Sequence, residues 1–183
     1  MPVDLQPTPQ AAVLCAVLAA GSDDIDTAVR QLEPLLGPER ERSEEYDFDY
    51  TAYYDREMGS GLVKQLVWFE RLAPLDKLAE IKRGTIRLER ELAIQRSGGA
   101  GEGDELRRTV NIDPGLVTEQ GLNLATTKFS GHRICIAPGL YAETTLLFQH
   151  GGCTPFEWTY GDYRAEAVMA FLLKVRAAVL EHG

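Results

Sequence analysis

Cysteine, histidine and positive charge are all scarce in this 183-residue chain, and each shortage removes a class of function. Three cysteines, Cys15, Cys135 and Cys153, are an odd number at irregular spacing, which makes neither a disulfide framework nor a zinc ligand set. Reduced thiols and a cytoplasmic location are the expectation. There is no nucleophile elbow, no zinc-binding histidine pair and no dinucleotide fingerprint. Lysine and arginine number 19 against 28 aspartates and glutamates, a formal net charge of −9. Such a charge repels polyanions at long range, so nucleic acid is not expected as a partner and a membrane surface is not expected either. The richest basic stretch, Lys77 to Arg96, is interrupted by Glu80, Glu89 and Glu91 and reads as a solvated, mixed-charge helix face. No apolar run approaches the ~20 residues that cross a bilayer. The run Ala11 to Ala20 has no flanking positive charge, since Arg30 is the first basic residue and Asp4 lies upstream, so it reads as a buried first strand rather than a signal-peptide core.

What is present fits one folded domain. The composition, 44% hydrophobic and 26% charged, is ordinary for a globular protein. The length allows a core that needs no covalent staples. The expected domain is 1–183, with a frayed 1–10 segment and a flexible glycine-rich loop at 97–104 that matches no phosphate-loop motif. Val13 to Ala19 is continuously apolar, as a strand covered on both faces should be. Gly21-Ser22-Asp23 ends it, Ser22 or Asp23 can cap the helix that follows, and Ile25, Val29, Leu32 and Leu36 give that helix its apolar stripe, which Pro34 should kink or end. Tyr46, Phe48 and Tyr50 alternate with aspartates as in a half-buried strand. Leu62 to Leu72 is apolar on both faces and reads as a central strand. Leu75, Leu78, Ile81, Thr85, Leu88 and Leu92 form a second helical stripe. Val110 and Ile112 precede an Asp113-Pro114-Gly115 turn. His132 to Ala137 and Tyr141 to Phe148 read as a hairpin with a three-residue loop, Pro138 to Leu140. That register pairs Cys135 with Glu143 and keeps Glu143 away from Ile134 and Ile136. Asp162 can cap a last helix whose stripe is Val168, Phe171, Leu172, Val175 and Val179. The element order matches an α+β, ferredoxin-like (split βαβ) plan. Its sheet is mainly antiparallel with helices on one face, and a C-terminal hairpin and helix follow.

Two segments carry more polar chemistry than folding requires. Residues 46–59 hold four of the seven tyrosines and four carboxylates, with Tyr50 a candidate ligand contact. Asp49 and Glu57 there can ligate a hard cation, or can simply guard an edge strand against pairing. Residues 123–133 gather Thr126, Thr127, Lys128, His132 and Arg133, a set able to hold a phosphate or carboxylate. His132 titrates near neutrality and can act as an acid or base, or can be a satisfied strand-start histidine. Glu143 shares a predicted face with Arg133, either as a cross-strand ion pair or as the acidic half of a site. Asp113 joins Asp49 as a candidate ligand to a divalent metal.

Four motifs in order resemble a known family: Phe48-Asp49-Tyr50-Thr51-Ala52-Tyr53-Tyr54 through Glu57-Met58-Gly59; Asn111-Ile112-Asp113-Pro114-Gly115; Ala125-Thr126-Thr127-Lys128 with His132-Arg133-Ile134 and Gly139-Leu140-Tyr141-Ala142-Glu143; and Trp158-Thr159-Tyr160-Gly161-Asp162-Tyr163-Arg164. Together they resemble the bacterial family called domain of unknown function 4416, over nearly the whole chain. Gly161 stands where that family commonly has proline, and the 97–104 insert looks private to this sequence. The resemblance implies no activity, substrate or catalytic residue. Two expectations follow from the residues themselves. One is a small-molecule enzyme or binding protein for an anionic ligand, with or without a bridging metal, in which His132 and Glu143 are the acid–base candidates and Thr126, Thr127, Lys128, Arg133 and Tyr50 hold the ligand. The other is a non-catalytic interaction module, a homodimer joined at a sheet edge.

Overall fold

The computed structural model describes residues 4–97 and 107–182. Residues 98–104 of the expected glycine-rich loop therefore lie outside the described residues, as do residues 1–3 of the expected frayed start. In the rest of that start, residues 4–9 are exposed, and Gln10 already opens the first strand.

The chain runs β1 (Gln10–Ala19), α1 (Ser22–Leu36), β2 (Glu39–Arg42), β3 (Tyr46–Asp47), α2 (Asp55–Met58), β4 (Val63–Pro74), α3 (Leu78–Arg96), β5 (Val110–Val117), β6 (Gly121–Thr126), β7 (Ile134–Ala137), β8 (Leu140–Gln149), β9 (Gly152–Pro155) and α4 (Glu166–His182). The strands make one open sheet in the order β2-β4-β1-β5-β6-β8-β7, with β3 added to β4 and β9 to β8. All pairings among the described residues are antiparallel. No helix of the described residues is long and apolar enough to cross a membrane.

β1 is buried from Ala11 to Ala19 because it lies between β4 and β5 and is covered on both faces. Its odd-numbered residues, Val13, Cys15 and Val17, pack with α1 and α3. Its even-numbered residues, Ala12, Leu14 and Ala16, pack with Val168, Phe171, Leu172, Val175 and Val179 of α4. The same period-two division places Val67 and Phe69 of β4 on the α1/α3 face and Leu66 and Trp68 on the α4 face. Helices on one face describes only α1 and α3; α4 covers the other face, because its apolar stripe needs the sheet surface they leave free.

Several local expectations are corrected. The strand expected to run to Tyr50 ends at Asp47, and residues 52–58 turn through a 3-10 turn, capped by Thr51, into α2. α1 starts at Ser22, preceded by Gly21, which has no side chain to cap it, and continues past Pro34 to Leu36. Pro34 offers no N–H to the turn before it, yet the helix closes only at Gly37, whose N–H bonds to the Glu33 carbonyl. Pro138 and Gly139 alone link β7 to β8, pairing Ile134 with Ala142 and Cys135 with Tyr141, with an irregularity before Ala137. The expected faces are kept, because Ile134 lies opposite Ala142 while Glu143 shares a side with Arg133 and accepts its hydrogen bond; the irregularity absorbs the shorter link.

A further correction positions the site. Asp113-Pro114-Gly115 is no turn: β5 runs straight through it, pairing Cys15 with Pro114 and Ala16 with Asp113. Proline can give no N–H to a ladder. It is accommodated because pairing with β6 stops at Gly115, opposite Leu124. At Gly115 the approach is so close that a Cβ would lie 2.6 Å from Leu124 Cδ2 and 3.1 Å from the Asn123 carbonyl oxygen. Gly115→Ala is therefore expected to destabilise the fold by about 1–3 kcal/mol through overpacking, measured by denaturant unfolding. Unchanged stability would mean that this junction is not close-packed.

Candidate functional site

β5 and β6 pair only through Gly115–Leu124, Leu116–Asn123 and Val117–Leu122. Beyond that point β5 follows β1 to Val110, while β6 follows β8 to Thr126. The strands part, and a cleft of about 450 Å3 occupies the gap. Asn111 and Asp113 alternate with the core residues Val110 and Ile112, so they face the α4 side of the sheet, as does Lys64 of β4. From the opposite face α3 lies against the gap and lines it with Lys82, Ile86 and Glu89, spaced to share one side of the helix. Phe48, Tyr50, Tyr53 and Tyr54 form one wall, and Leu124 to Lys128 form another. Tyr160, Asp162 and Tyr163, in the approach to α4, and Glu143 of β8 complete the lining.

The charges in the floor are paired. Lys64 Nζ donates to Asp162 Oδ2 at 2.5 Å, both side chains being almost fully buried, and Tyr46 donates to the same oxygen at 3.2 Å. Asp162 thus ties β4 to the start of α4 instead of capping the helix. Lys82 Nζ donates to the Ile112 carbonyl at 2.9 Å and to Asp113 Oδ1 at 3.0 Å, and Asn111 Nδ2 donates to Asp113 Oδ2 at 2.7 Å. Burial pushes Asp113 up, but Lys82, Lys64 and these hydrogen bonds outweigh it and hold the carboxyl below its ordinary range. Lys82 is buried, so the mixed-charge face expected on α3 is not wholly solvated.

Glu89 differs. Its Oε1 accepts the Ile112 N–H at 2.8 Å, and its Oε2 lies 3.6 Å from Arg108, whose closer carboxylate is Glu57 at 2.7 Å. Burial dominates over Lys82 and the backbone bond, and pushes the Glu89 carboxyl up to about 7.

Behind the Glu143 wall stands a second network. Arg133 Nε donates to Glu143 Oε2 at 2.7 Å, His132 Nε2 lies 3.1 Å from the same oxygen, and Thr145 donates to Oε1 at 3.2 Å. Ser130 Oγ is 3.1 Å from His132 Nδ1, and the His132 ring stacks on Trp158. Arg133 also donates to the Tyr160 hydroxyl at 2.8 Å and to the Lys128 carbonyl at 2.9 Å, which fixes the rim of the cleft.

Of the residues singled out from sequence, Tyr50, Asp113, Thr126, Thr127, Lys128 and Glu143 line this one cleft. Neither His132 nor Arg133 lines it: His132 meets it through Glu143, and Arg133 through Glu143, Tyr160 and the Lys128 carbonyl. Asp49 is exposed and outside the lining, so it is not brought to Asp113, whose two oxygens already accept hydrogen bonds. Among the described residues no group of three or more histidine, cysteine, aspartate or glutamate side chains is placed to hold a metal ion. Lys64, Lys82, Glu89, Arg108 and the contacts of Asp162 were not legible as site residues. The Trp158–Arg164 motif did carry a signal for Tyr160, Asp162 and Tyr163.

Glu89 yields a pH prediction. A carboxyl with a folded pKa raised to about 7 contributes stability that is full below about 4.5 and is lost as pH rises through 7. Glu89→Gln keeps the acceptor for Ile112 and cannot ionise. Its stability relative to wild type is expected to increase from pH 4.5 to pH 8.5 by up to about 3 kcal/mol in denaturant unfolding. An increment independent of pH would contradict the assignment.

Comparison with known proteins places this geometry in a family but not in a reaction. No curated protein and no solved structure matches the chain. The family model described as a domain of unknown function, DUF4416, matches residues 9–178, which include every lining residue of the cleft. The chain belongs to that family.

Proposed function

We propose that the protein binds a small anionic molecule, bearing a phosphate or a carboxylate, in the cleft between β5 and β6. The observation that carries this reading is the charge arrangement of the lining. Lys64, Lys82 and Arg108 each have a carboxylate partner, whereas Lys128 at the rim has none among the described residues. Its ammonium group sits 3.5 Å from the centre of the Tyr53 ring, and the Thr126 and Thr127 side chains stand beside it in the lining. A cation held over an aromatic face with no counter-charge is a ready partner for an anion. The volume is that of small-molecule sites, which run from about 300 to 1,000 Å3. If the site is catalytic, Glu143 and Glu89 are the acid–base candidates on its lining, and His132 acts through Glu143 as a positioning residue. The order β5-β1-β4-β2 of the first half of the sheet supports reading it as a ferredoxin-like unit extended by β6 to β9.

The test is a thermal-shift screen of the purified protein against small phosphates and carboxylates. A ligand at about 100 times its dissociation constant stabilises by about 2.7 kcal/mol. For a chain of this length the expected rise in melting temperature is about 5–11 °C. Lys128→Ala is expected to abolish it. A shift that survives Lys128→Ala would overturn the assignment. A flat screen together with a dimer in light scattering would favour the interaction module instead, which the exposed Ile134 and Ile136 on the edge strand β7 support.

A further inference from the structure

Building on the small-anion reading, we infer that the ligand is a planar heteroaromatic ring carrying an anionic group, the chemical class of the nucleoside monophosphates. The ring would lie against the tyrosine wall with its polar edge toward the cleft floor, and the anion would lie at Lys128.

Three observations converge on this class. The first is the wall. Tyr50 and Tyr53 line the cleft yet remain 48% and 55% exposed, so the fold covers their rings only in part, Lys128 lying over one face of Tyr53. Their neighbours hold them in place: Tyr53 meets Tyr54 edge-to-face at 5.0 Å, Phe48 meets Tyr54 at 6.1 Å, and Phe48 lies 5.7 Å from Tyr50. Tyr50 also presses on Gly161, where a Cβ would come within 2.6 Å of its ring. A pre-ordered, half-exposed aromatic surface beside a polar cavity suits a flat ring, because every such ring offers a π-face.

The second is the floor. Its charges are closed into the Lys64–Asp162 and Lys82–Asp113 pairs, so it offers donors and acceptors without a free positive charge. That suits the neutral polar edge of a heterocycle better than a second anion.

The third is the link between the two subsites. Lys128 sits over Tyr53, so the free cation and the aromatic wall adjoin and one small molecule can span both. A ring alone leaves Lys128 unused, and a phosphate alone leaves the wall exposed.

Isothermal titration tests the class with purine and pyrimidine nucleoside monophosphates, the matching nucleosides, ribose 5-phosphate and inorganic phosphate. At least one nucleoside monophosphate is expected to bind tenfold or more tightly than both its nucleoside and ribose 5-phosphate. Lys128→Ala is expected to reduce that nucleotide to the affinity of its nucleoside. Tyr53→Leu, an exposed change the fold should tolerate, is expected to reduce it toward ribose 5-phosphate. Equal binding of ribose 5-phosphate and the nucleotides, or no binding of any nucleotide, overturns the inference. If ribose 5-phosphate or phosphate still binds in a Lys128-dependent way, the small-anion reading stands without it. If no anion binds in either this titration or the broader screen, both fall.

Discussion

Where β5 and β6 separate, the sheet loses its continuity, and the rest of the site follows from that break. On one side of it Gly115 packs so tightly under Leu124 and Leu122 that an added Cβ would crowd both side chains, and pairing is complete. On the other side Pro114 has no N–H to offer, and β6 has moved away with β8. A split sheet exposes backbone and would normally be weak. Here α3 closes it from one face, with Lys82 bonded to both the Ile112 carbonyl and Asp113, and with Glu89 accepting the Ile112 N–H. The groups that mend the sheet are therefore also the groups that line the cleft, and structure and site cannot be altered separately there.

Burying this many charges is costly unless each is matched. The molecule meets that cost by closing pairs across elements distant in sequence: β4 to the approach to α4 through Lys64 and Asp162, α3 to β5 through Lys82 and Asp113, and the loop before β7 to β8 through Arg133 and Glu143. Removing one partner of such a pair leaves an uncompensated buried charge, typically at about 3–5 kcal/mol. Against this background two groups stand apart: Lys128, whose charge meets an aromatic ring and no carboxylate among the described residues, and Glu89, whose carboxyl burial pushes up to about 7. A protein that neutralises its other cleft cations so fully makes the remaining one informative.

Much of the fold was legible because its signals are local. The unbroken apolar run of β1, the two-faced pattern of β4 and the stripes of α3 and α4 each dictate their element without reference to a partner. The two polar segments were also visible as sites, since Tyr50 and Thr126 to Lys128 stand in stretches richer in function than a surface needs. What failed depended on pairing. Asp113-Pro114-Gly115 has the composition of a turn, and only the absence of β6 beside Pro114 allows it to be strand. The faces of the hairpin follow from its alternation, with Glu143 beside Arg133, but its loop length does not, because the irregularity before Ala137 leaves no mark in the sequence. Lys82 looked like one charge among many on α3, because nothing in the helix shows that a sheet opens opposite it. Asp162 looked like a cap because its partner, Lys64, is 98 residues away.

The central claim is that segments 48–54 and 124–128, together with the approach to α4, form one ligand-binding cleft. Amide chemical-shift mapping during titration with an anion that shifts the melting temperature tests it most directly. The account predicts that the perturbed amides cluster in all three places at once, in residues 50–54, 125–128 and 160–163, and that they saturate with a single dissociation constant. Perturbation confined to one of these segments, or to the β7 edge, would contradict it.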